Sequence, residues 1–190
     1  MAPSCRAAII PGPHQAVRLT EIPLPTLEPG AALLETIYSE VCGTDVHLHH
    51  GRLSGVPYPL IPGHVSVGRI AQLRGKIVDV EGTPFGEGDV VTFLDVHETC
   101  NACYQCLVAK QTTRCPHRKV YGISYSAADG PLGGWAERIW IDPRCCTSVA
   151  PELDRGRRLS GQVVAGAWSV EPIETVETTP GRKVQPGASC

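Results

Sequence analysis

The chain has 190 residues, of which 42% are hydrophobic, and a formal net charge of -2 at pH 7. This length suffices for one domain with a buried core and no disulfides, and the small net charge argues against nucleic acid or an anionic membrane surface as a partner. Apolar runs such as Val90–Leu94 are too short to span a bilayer, and the first ten residues do not have the pattern of a secretory signal. We therefore expect a soluble cytoplasmic protein.

Short segments with β-branched or alternating apolar residues follow one another along most of the chain, separated by turns rich in proline and glycine. A single helix is predicted over Gly43–His50, with Thr44 or Asp45 as its N-terminal cap. This pattern is typical of a mainly β fold, either a small barrel or a sandwich. The predicted strands are Arg6–Ile10, Val17–Glu21, Ala32–Ser39, Val65–Leu73, Ile77–Val80, Asp89–Val96 and Ala136–Asp142.

The composition changes near Pro151. Residues 151–190 have little apolar material in any regular period, so we expect an irregular or disordered tail after a domain that spans residues 1–150. The chain has no glycine-rich strand–helix turn that would cradle a dinucleotide phosphate, because Gly86-Glu87-Gly88 lacks the third glycine and leads into a predicted strand. We expect no Rossmann domain in this chain.

Four of the nine cysteines occupy one short segment with the spacing Cys100-x2-Cys103-x2-Cys106-x8-Cys115. Four thiolates can close a tetrahedral shell around a structural zinc, whose binding would stabilise a lobe over about residues 97–118. An iron–sulfur cluster is an alternative, although the last gap is eight residues where the bacterial ferredoxin motif has three. Unrelated reduced thiols are the third interpretation, and His97 and His117 flank the loop as substitute ligands.

A second pattern joins Cys42, in the segment Val41–His47, to His64, which follows Gly63. Each residue alone is a weak signal, since a cysteine beside a glycine is more often a small buried hydrophobe. Together, and followed by the four-cysteine loop, the two residues become a specific signal.

These motifs resemble the zinc-dependent medium-chain alcohol, polyol and threonine dehydrogenases over residues 6–150; Gly88–Val91 and Gly133–Glu137 also match. The resemblance implies a GroES-like, partly open β-barrel with a zinc-binding loop lobe. It implies that Cys42 and His64 are ligands of a catalytic zinc. It also implies that a structural zinc is held by Cys100, Cys103, Cys106 and Cys115.

The same resemblance implies a proton relay through Thr44 and His47 and an acid behind the metal at Asp45. A zinc site with an open position lowers the pKa of a substrate hydroxyl. Thr44 would take that proton and pass it toward the His47 imidazole, which would exchange it with solvent. The implied reaction is hydride transfer between a small alcohol or carbonyl substrate and NAD(P).

Three features depart from the family pattern. Val65 stands where many relatives have a glutamate beside the metal, and the last gap in the cysteine loop is eight residues where seven is usual. The cofactor domain and the third ligand of the catalytic zinc are also missing, and only charge supports Glu152 or Glu171 as replacements. We therefore expect a truncated catalytic domain that is inactive alone. The alternatives are a non-catalytic zinc-stabilised binding module and a subunit that meets a separate cofactor-binding polypeptide.

Overall fold

A computed structural model describes residues 3–78, 82 and 84–143, together with the backbone of residues 147–149. Strands dominate this part of the chain, and its two α-helices are short. The helices are α1 (Gly43–His49) and α2 (Tyr104–Leu107). The strands are β1 (Ser4–Ile9), β2 (Arg18–Pro23), β3 (Ala32–Ser39), β4 (Ser66–Leu73), β5 (Val90–Phe93), β6 (Val96–Glu98), β7 (Lys119–Val120), β8 (Arg138–Ile141) and β9 (Thr147–Val149).

A five-stranded sheet in the order β8-β3-β4-β5-β9 forms the centre of the fold. Two-stranded sheets, β1-β2 and β6-β7, accompany it, and a bridge between Ala7 and Ala136 joins β1 to the segment before β8. Every pairing between the described strands is antiparallel. The mainly β prediction is therefore confirmed, and this part of the chain contains no parallel Rossmann-type sheet. Its helices are also all too short to cross a membrane.

The core lies against one face of the central sheet, and buried residues alternate with partly exposed ones along β4 and β8. In β4, Ser66, Gly68 and Ile70 are buried while their neighbours are partly exposed. Leu34 of β3 and Ile139 of β8 pack in the same cluster as Ile70. Burying a side chain of this size stabilises a fold by about 1.5–3 kcal/mol. A smaller cluster of Ile10, Leu48 and Leu60 fixes α1 against the sheet region.

The predicted strand Asp89–Val96 is wrong as a single element, because the chain leaves β5 at Leu94 and re-forms as β6 at Val96. Asp95 makes the corner: its carboxylate accepts from the Val96 N–H at 2.9 Å, and its carbonyl accepts from the Tyr121 N–H at 2.9 Å. These bonds direct β6 toward β7 instead of along the central sheet.

Two other differences concern weakly patterned segments. Ile77–Val80 was predicted as a strand, but its described part forms only an isolated bridge between Val78 and Pro84; residues 79 and 80 lie outside the described residues. Strand β9, which pairs with β5, was not predicted. The expected tail at 151–190 also lies outside the described residues.

Candidate metal centres

The four cysteines of the loop lie together at the end of the β6-β7 hairpin, which closes the segment through the pairs Val96–Val120 and Glu98–Lys119. A tetrahedral zinc with Zn–S bonds of 2.3 Å requires sulfur–sulfur separations of roughly 3.8 Å. The observed Sγ–Sγ distances are 3.5 Å for Cys100–Cys115, 3.6 Å for Cys103–Cys106, 3.9 Å for Cys103–Cys115 and 4.0 Å for Cys100–Cys106. These distances are far longer than a disulfide bond, and all four thiols are free. The donor set and its spacing therefore fit one zinc ion.

Backbone N–H groups point at the sulfurs of this group and favour their charged form. The Cys103 N–H donates to Cys100 Sγ at 3.3 Å, and the Cys100 N–H donates to Cys115 Sγ at 3.4 Å. Hydrogen bonds from the backbone of Ala102 and Cys103 lower the pKa of Cys100 to about 6. Burial raises the pKa of Cys106 to about 11. Without a cation, one thiolate forms readily while another is strongly disfavoured.

The flanking histidines are not part of the converging cysteine group. His97 is buried, with Nε2 3.1 Å from Asp142 Oδ1 and Nδ1 against the Tyr125 hydroxyl. It thus ties β6 to the end of β8. His117 is exposed. Among the described residues, the four thiols form the lobe's donor set without either histidine.

Cys42 and His64 are brought together from two loops, with Cys42 Sγ 3.5 Å from His64 Nε2. A tetrahedral zinc bound to one sulfur at 2.3 Å and one imidazole nitrogen at 2.0–2.1 Å would separate those atoms by roughly 3.6 Å. Cys42 is also the N-cap of α1, and its Sγ accepts from the Thr44 N–H at 3.2 Å. The predicted cap was wrong for Thr44, whereas Asp45 does take part through the reciprocal bond.

Asp45 is 2% exposed and connects both loops. Its Oδ2 accepts from the Cys42 N–H at 2.8 Å, and its Oδ1 accepts from the Gly63 N–H at 3.3 Å. The same Oδ1 lies 4.0 Å from His64 Nδ1, a buried nitrogen with no hydrogen-bond partner among the described residues. A carboxylate behind the second nitrogen of a histidine is the usual support of a zinc ligand.

The loop that carries His64 is fixed by close backbone contact with residues 133–135. The Gly134 N–H donates to the Gly63 carbonyl at 2.7 Å, and the Trp135 N–H donates to the Pro62 carbonyl at 3.0 Å. A Cβ on Gly133 would lie 2.0 Å from the carbonyl oxygen of Ile61, so only glycine fits there. The sequence identified Gly133 and Gly134 as part of a family motif but did not reveal their contact with the His64 loop. Two consecutive glycines before a tryptophan were the sequence signal for such a close backbone approach.

The remaining predicted residues lie near this group without joining it. Thr44 is half-buried in the first turn of α1, and His47 is exposed in the next turn. Val65 follows His64, and its carbonyl accepts from the Glu40 N–H at 3.0 Å. In the described part of the chain this converging group consists of Cys42, Asp45 and His64, and we call it the Cys42 group. Glu152 and Glu171 fall outside that part.

Comparison with known proteins places these features in a family context. Residues 28–152 match the alcohol dehydrogenase GroES-like domain family. An alcohol dehydrogenase from Geobacillus stearothermophilus is 32% identical over 180 residues, which is 94% of this chain and 49% of the relative. The crystal structure of an alcohol dehydrogenase from Thermotoga maritima is 30% identical with a TM-score of 0.73, covering 78% of this chain and 41% of that one.

A cobalt- and zinc-bound thermostable alcohol dehydrogenase from Pyrobaculum aerophilum is 26% identical, with a TM-score of 0.55, over 73% of this chain and 39% of that one. The chain thus spans about half the length of its relative from Geobacillus. The family match includes both the Cys42 group and the four-cysteine loop, and it confirms the predicted GroES-like fold. This chain belongs to the alcohol dehydrogenase GroES-like domain family.

Proposed function

We propose that residues 1–150 form the zinc-binding catalytic domain of an oxidoreductase that transfers hydride between a small alcohol or carbonyl and NAD(P). The observation that carries this proposal is the 3.5 Å approach of Cys42 Sγ to His64 Nε2. Asp45 supports both loops from behind, and the proposed proton-relay residues Thr44 and His47 lie on the helix that Cys42 caps.

In this proposal Cys42 and His64 hold a catalytic zinc, while Cys100, Cys103, Cys106 and Cys115 hold a structural one. The closed thiolate set leaves no position for substrate, whereas two protein ligands leave the Cys42 group open. The zinc-bound Pyrobaculum relative supports the choice of metal. When bound, zinc supplies a Lewis acid for the substrate oxygen and NAD(P) supplies the hydride acceptor or donor.

The chain's own residues position groups and move one proton. Asp45 fixes the loops of Cys42 and His64 through two backbone N–H groups. The Thr44 hydroxyl accepts the proton from the substrate oxygen as it donates its own toward the exposed His47, which passes a proton to water. Oxidation of an alcohol would thus release one proton through the side chains of Thr44 and His47, and bound NAD(P) would supply the hydride acceptor.

We infer that this domain is inactive alone and works with a cofactor-binding polypeptide or domain. The described residues contain no strand–helix turn of the kind that binds a dinucleotide phosphate. Within four residues of Cys42 in the sequence, Tyr38, Val41 and Val46 are 62%, 66% and 46% exposed. Exposed apolar residues next to a reaction site would suit an interface that excludes water.

Zinc analysis of the purified full chain tests the two-site proposal. We expect about two zinc ions per chain, falling to about one in Cys42→Ser and to about one in Cys100→Ser. The two variants lose different ions, so cobalt substitution followed by visible spectroscopy would give two distinct residual spectra. Equal zinc content in the native chain and Cys42→Ser would contradict a metal at the Cys42 group.

Activity is tested by assaying small alcohols with NAD+ and NADP+, with and without a co-purified dinucleotide-binding protein. Thr44→Val should abolish any activity and keep two zinc ions, because it removes only the proton acceptor. His47→Gln should change the pH dependence of kcat more than its maximum. Turnover that persists unchanged in Thr44→Val would exclude the proposed relay.

A non-catalytic zinc-stabilised binding module is the second candidate function. The observation that favours it is Val65, which places no carboxylate after His64, together with an Asp45 whose oxygens already accept backbone N–H groups. This function predicts about one zinc in the native chain and in Cys42→Ser. The same zinc analysis therefore separates the two candidates.

A further inference from the structure

Three histidine rings lie together on the surface, apart from both cysteine-containing groups. His14 comes from the turn after β1, and His49 and His50 come from the end of α1. The ring centroids are separated by 5.4 Å for His49–His50, 5.5 Å for His14–His50 and 6.5 Å for His14–His49. His14 and His50 are exposed and His49 is half-buried, so the cluster is open to solutes.

Backbone carbonyls fix which nitrogen carries the proton on two of these rings. His49 Nε2 lies 3.1 Å from the Gln15 carbonyl oxygen, and His50 Nδ1 lies 2.8 Å from the Val46 carbonyl oxygen. Because a carbonyl only accepts, each of these nitrogens is the donor. In the neutral rings, His49 Nδ1 and His50 Nε2 then hold a free lone pair. Histidines that bind metals are commonly oriented by such an outer hydrogen bond.

The backbone around the third ring is also held in place. The His14 N–H donates to the His49 carbonyl at 2.7 Å, which ties the turn to α1. His14 has a φ of 59°, an uncommon left-handed conformation for a residue with a side chain. The three Cα positions are therefore fixed by main-chain contacts while the exposed ring of His14 remains able to rotate.

The ring spacing is close to that of a three-histidine metal site. With metal–nitrogen bonds of 2.0–2.1 Å and tetrahedral angles, ring centroids are separated by roughly 5 Å. Two of the three observed separations come near this value. The ring nitrogens do not converge as the ligand atoms of the cysteine-containing groups do, so metal binding requires the histidine rings to reorient.

We propose that His14, His49 and His50 form a surface site for a divalent transition metal that favours imidazole nitrogen, with water in the open positions. Ni2+, Cu2+ and Zn2+ have that preference, whereas Mg2+ and Ca2+ favour oxygen ligands. The site is independent of the proposed catalytic and structural zinc ions. It would hold the turn at residues 11–15 against the end of α1.

The test is calorimetric titration of Ni2+ into the full zinc-loaded chain at pH 7.5. We expect one Ni2+ per chain in the native protein. His14→Asn removes the imidazole, and asparagine tolerates a positive φ; His50→Gln keeps an N–H that can donate to the Val46 carbonyl. Loss of an outer hydrogen-bond partner already costs 10–100-fold in metal affinity, so loss of a ligand in either variant should cost at least about tenfold.

His117→Gln is the matched control, since His117 is an exposed histidine outside the cluster, and it should bind Ni2+ as the native chain does. Zinc released during the titration is measured in parallel, because displacement of zinc from thiolates would also produce heat. Equal Ni2+ affinity in the native chain and His14→Asn, no binding by the native chain, or an equal loss in His117→Gln would each overturn the proposal.

Discussion

The four-cysteine lobe and the Cys42–His64 group use similar ligand atoms but are assembled differently. All four lobe thiols come from 16 consecutive residues at the end of one hairpin. Cys42 and His64 come from two loops separated by α1 and a long connection. Their approach depends on Asp45 and on residues 133–135 of a third segment. We therefore expect a bound metal to organise the four lobe thiols, whereas contacts with the surrounding fold position Cys42 and His64.

The largest effect should follow removal of a buried lobe thiol, because the proposed structural zinc would contribute its binding free energy to the folding of the lobe. Cys115 is fully buried, and structural zinc sites in small domains have apparent binding free energies of about 10–16 kcal/mol at pH 7. Cys115→Ser should lose one zinc per chain and lower the melting temperature clearly, while zinc at the Cys42 group is retained. Metal analysis and a thermal melt check this. Retention of the lobe's zinc would contradict the assignment of Cys115 as a ligand.

The next largest effect is expected at the contact that fixes His64. A Cβ at Gly133 would meet the Ile61 carbonyl oxygen at 2.0 Å, and overpacking of this kind typically costs 1–3 kcal/mol. Gly133→Ala should lower the free energy of unfolding by about that amount and reduce zinc at the Cys42 group more than in the lobe. Urea unfolding and metal analysis measure the two effects.

Gly43→Ala is the matched control for this change, because a Cβ at Gly43 has no atom within 4 Å. This variant should be neutral or slightly stabilising, since Gly43 begins α1. If the two variants lost stability equally, close packing against Ile61 would not be what positions the His64 loop.

The contrast between the two regions also explains what the sequence could predict. The cysteine cluster of the lobe could be predicted from the sequence because four cysteines at short intervals need no other segment to form a ligand set. The strand predicted over Val65–Leu73 likewise corresponds to β4, because one face of that strand is buried and its pattern alternates. Local patterns were sufficient in both places.

Features that depend on contacts between distant segments could not be predicted from the sequence in the same way. The chain leaves the central sheet at Asp95 because Tyr121 donates to its carbonyl from 26 residues further on. The role of Gly133 depends on Ile61, and the histidine cluster depends on a turn that folds back onto α1. Nothing local in these segments indicates such partners.

Replacing Asp45 should weaken zinc binding at the Cys42 group and leave zinc binding in the four-cysteine lobe unchanged. Asp45→Asn keeps an oxygen that can accept one of the two backbone N–H groups, of Cys42 or of Gly63, but loses the second acceptor and the charge behind His64. Loss of such support typically lowers metal affinity 10–100-fold, so zinc at the Cys42 group should weaken by about that factor while lobe zinc is unchanged. Competition with a chromophoric chelator measures both affinities.

Asp129→Asn is the control for Asp45→Asn, because Asp129 makes the same reciprocal cap with Ser126 in a turn outside both cysteine-containing groups. Equal loss of zinc affinity in both variants would mean that capping, and not the charge behind His64, explains the effect.

The metal-free lobe should have a pH optimum of its own. The pKa of Cys100 falls from 9.0 to about 6 through backbone hydrogen bonds, so its contribution to stability is lost as pH falls from 9 toward 6. Burial raises the pKa of Cys106 from 9.0 to about 11, so its contribution is lost as pH rises from 9 toward 11. Protein stripped by a chelator should therefore be most stable near pH 9, as measured by urea unfolding across this range. A Cys100→Ser variant should lack the acid-side loss.

The smallest effect is expected at an exposed ion pair between Arg6 of β1 and Glu137. Glu137 directly follows residues 133–136, part of which contacts the His64 loop. The Arg6 Nε donates to Glu137 Oε1 at 2.7 Å, which lowers the pKa of Glu137, but both side chains are largely exposed to water. Exposed ion pairs contribute little because solvent screens them. Glu137→Gln should therefore leave zinc content unchanged and lower the melting temperature only slightly at pH 7. The difference should shrink as the pH falls through the lowered pKa of Glu137, because the native carboxyl then takes up a proton. A large shift that salt does not reduce would mean that this pair, and not the buried contact of Gly133 with Ile61, holds the strand that supports the His64 loop.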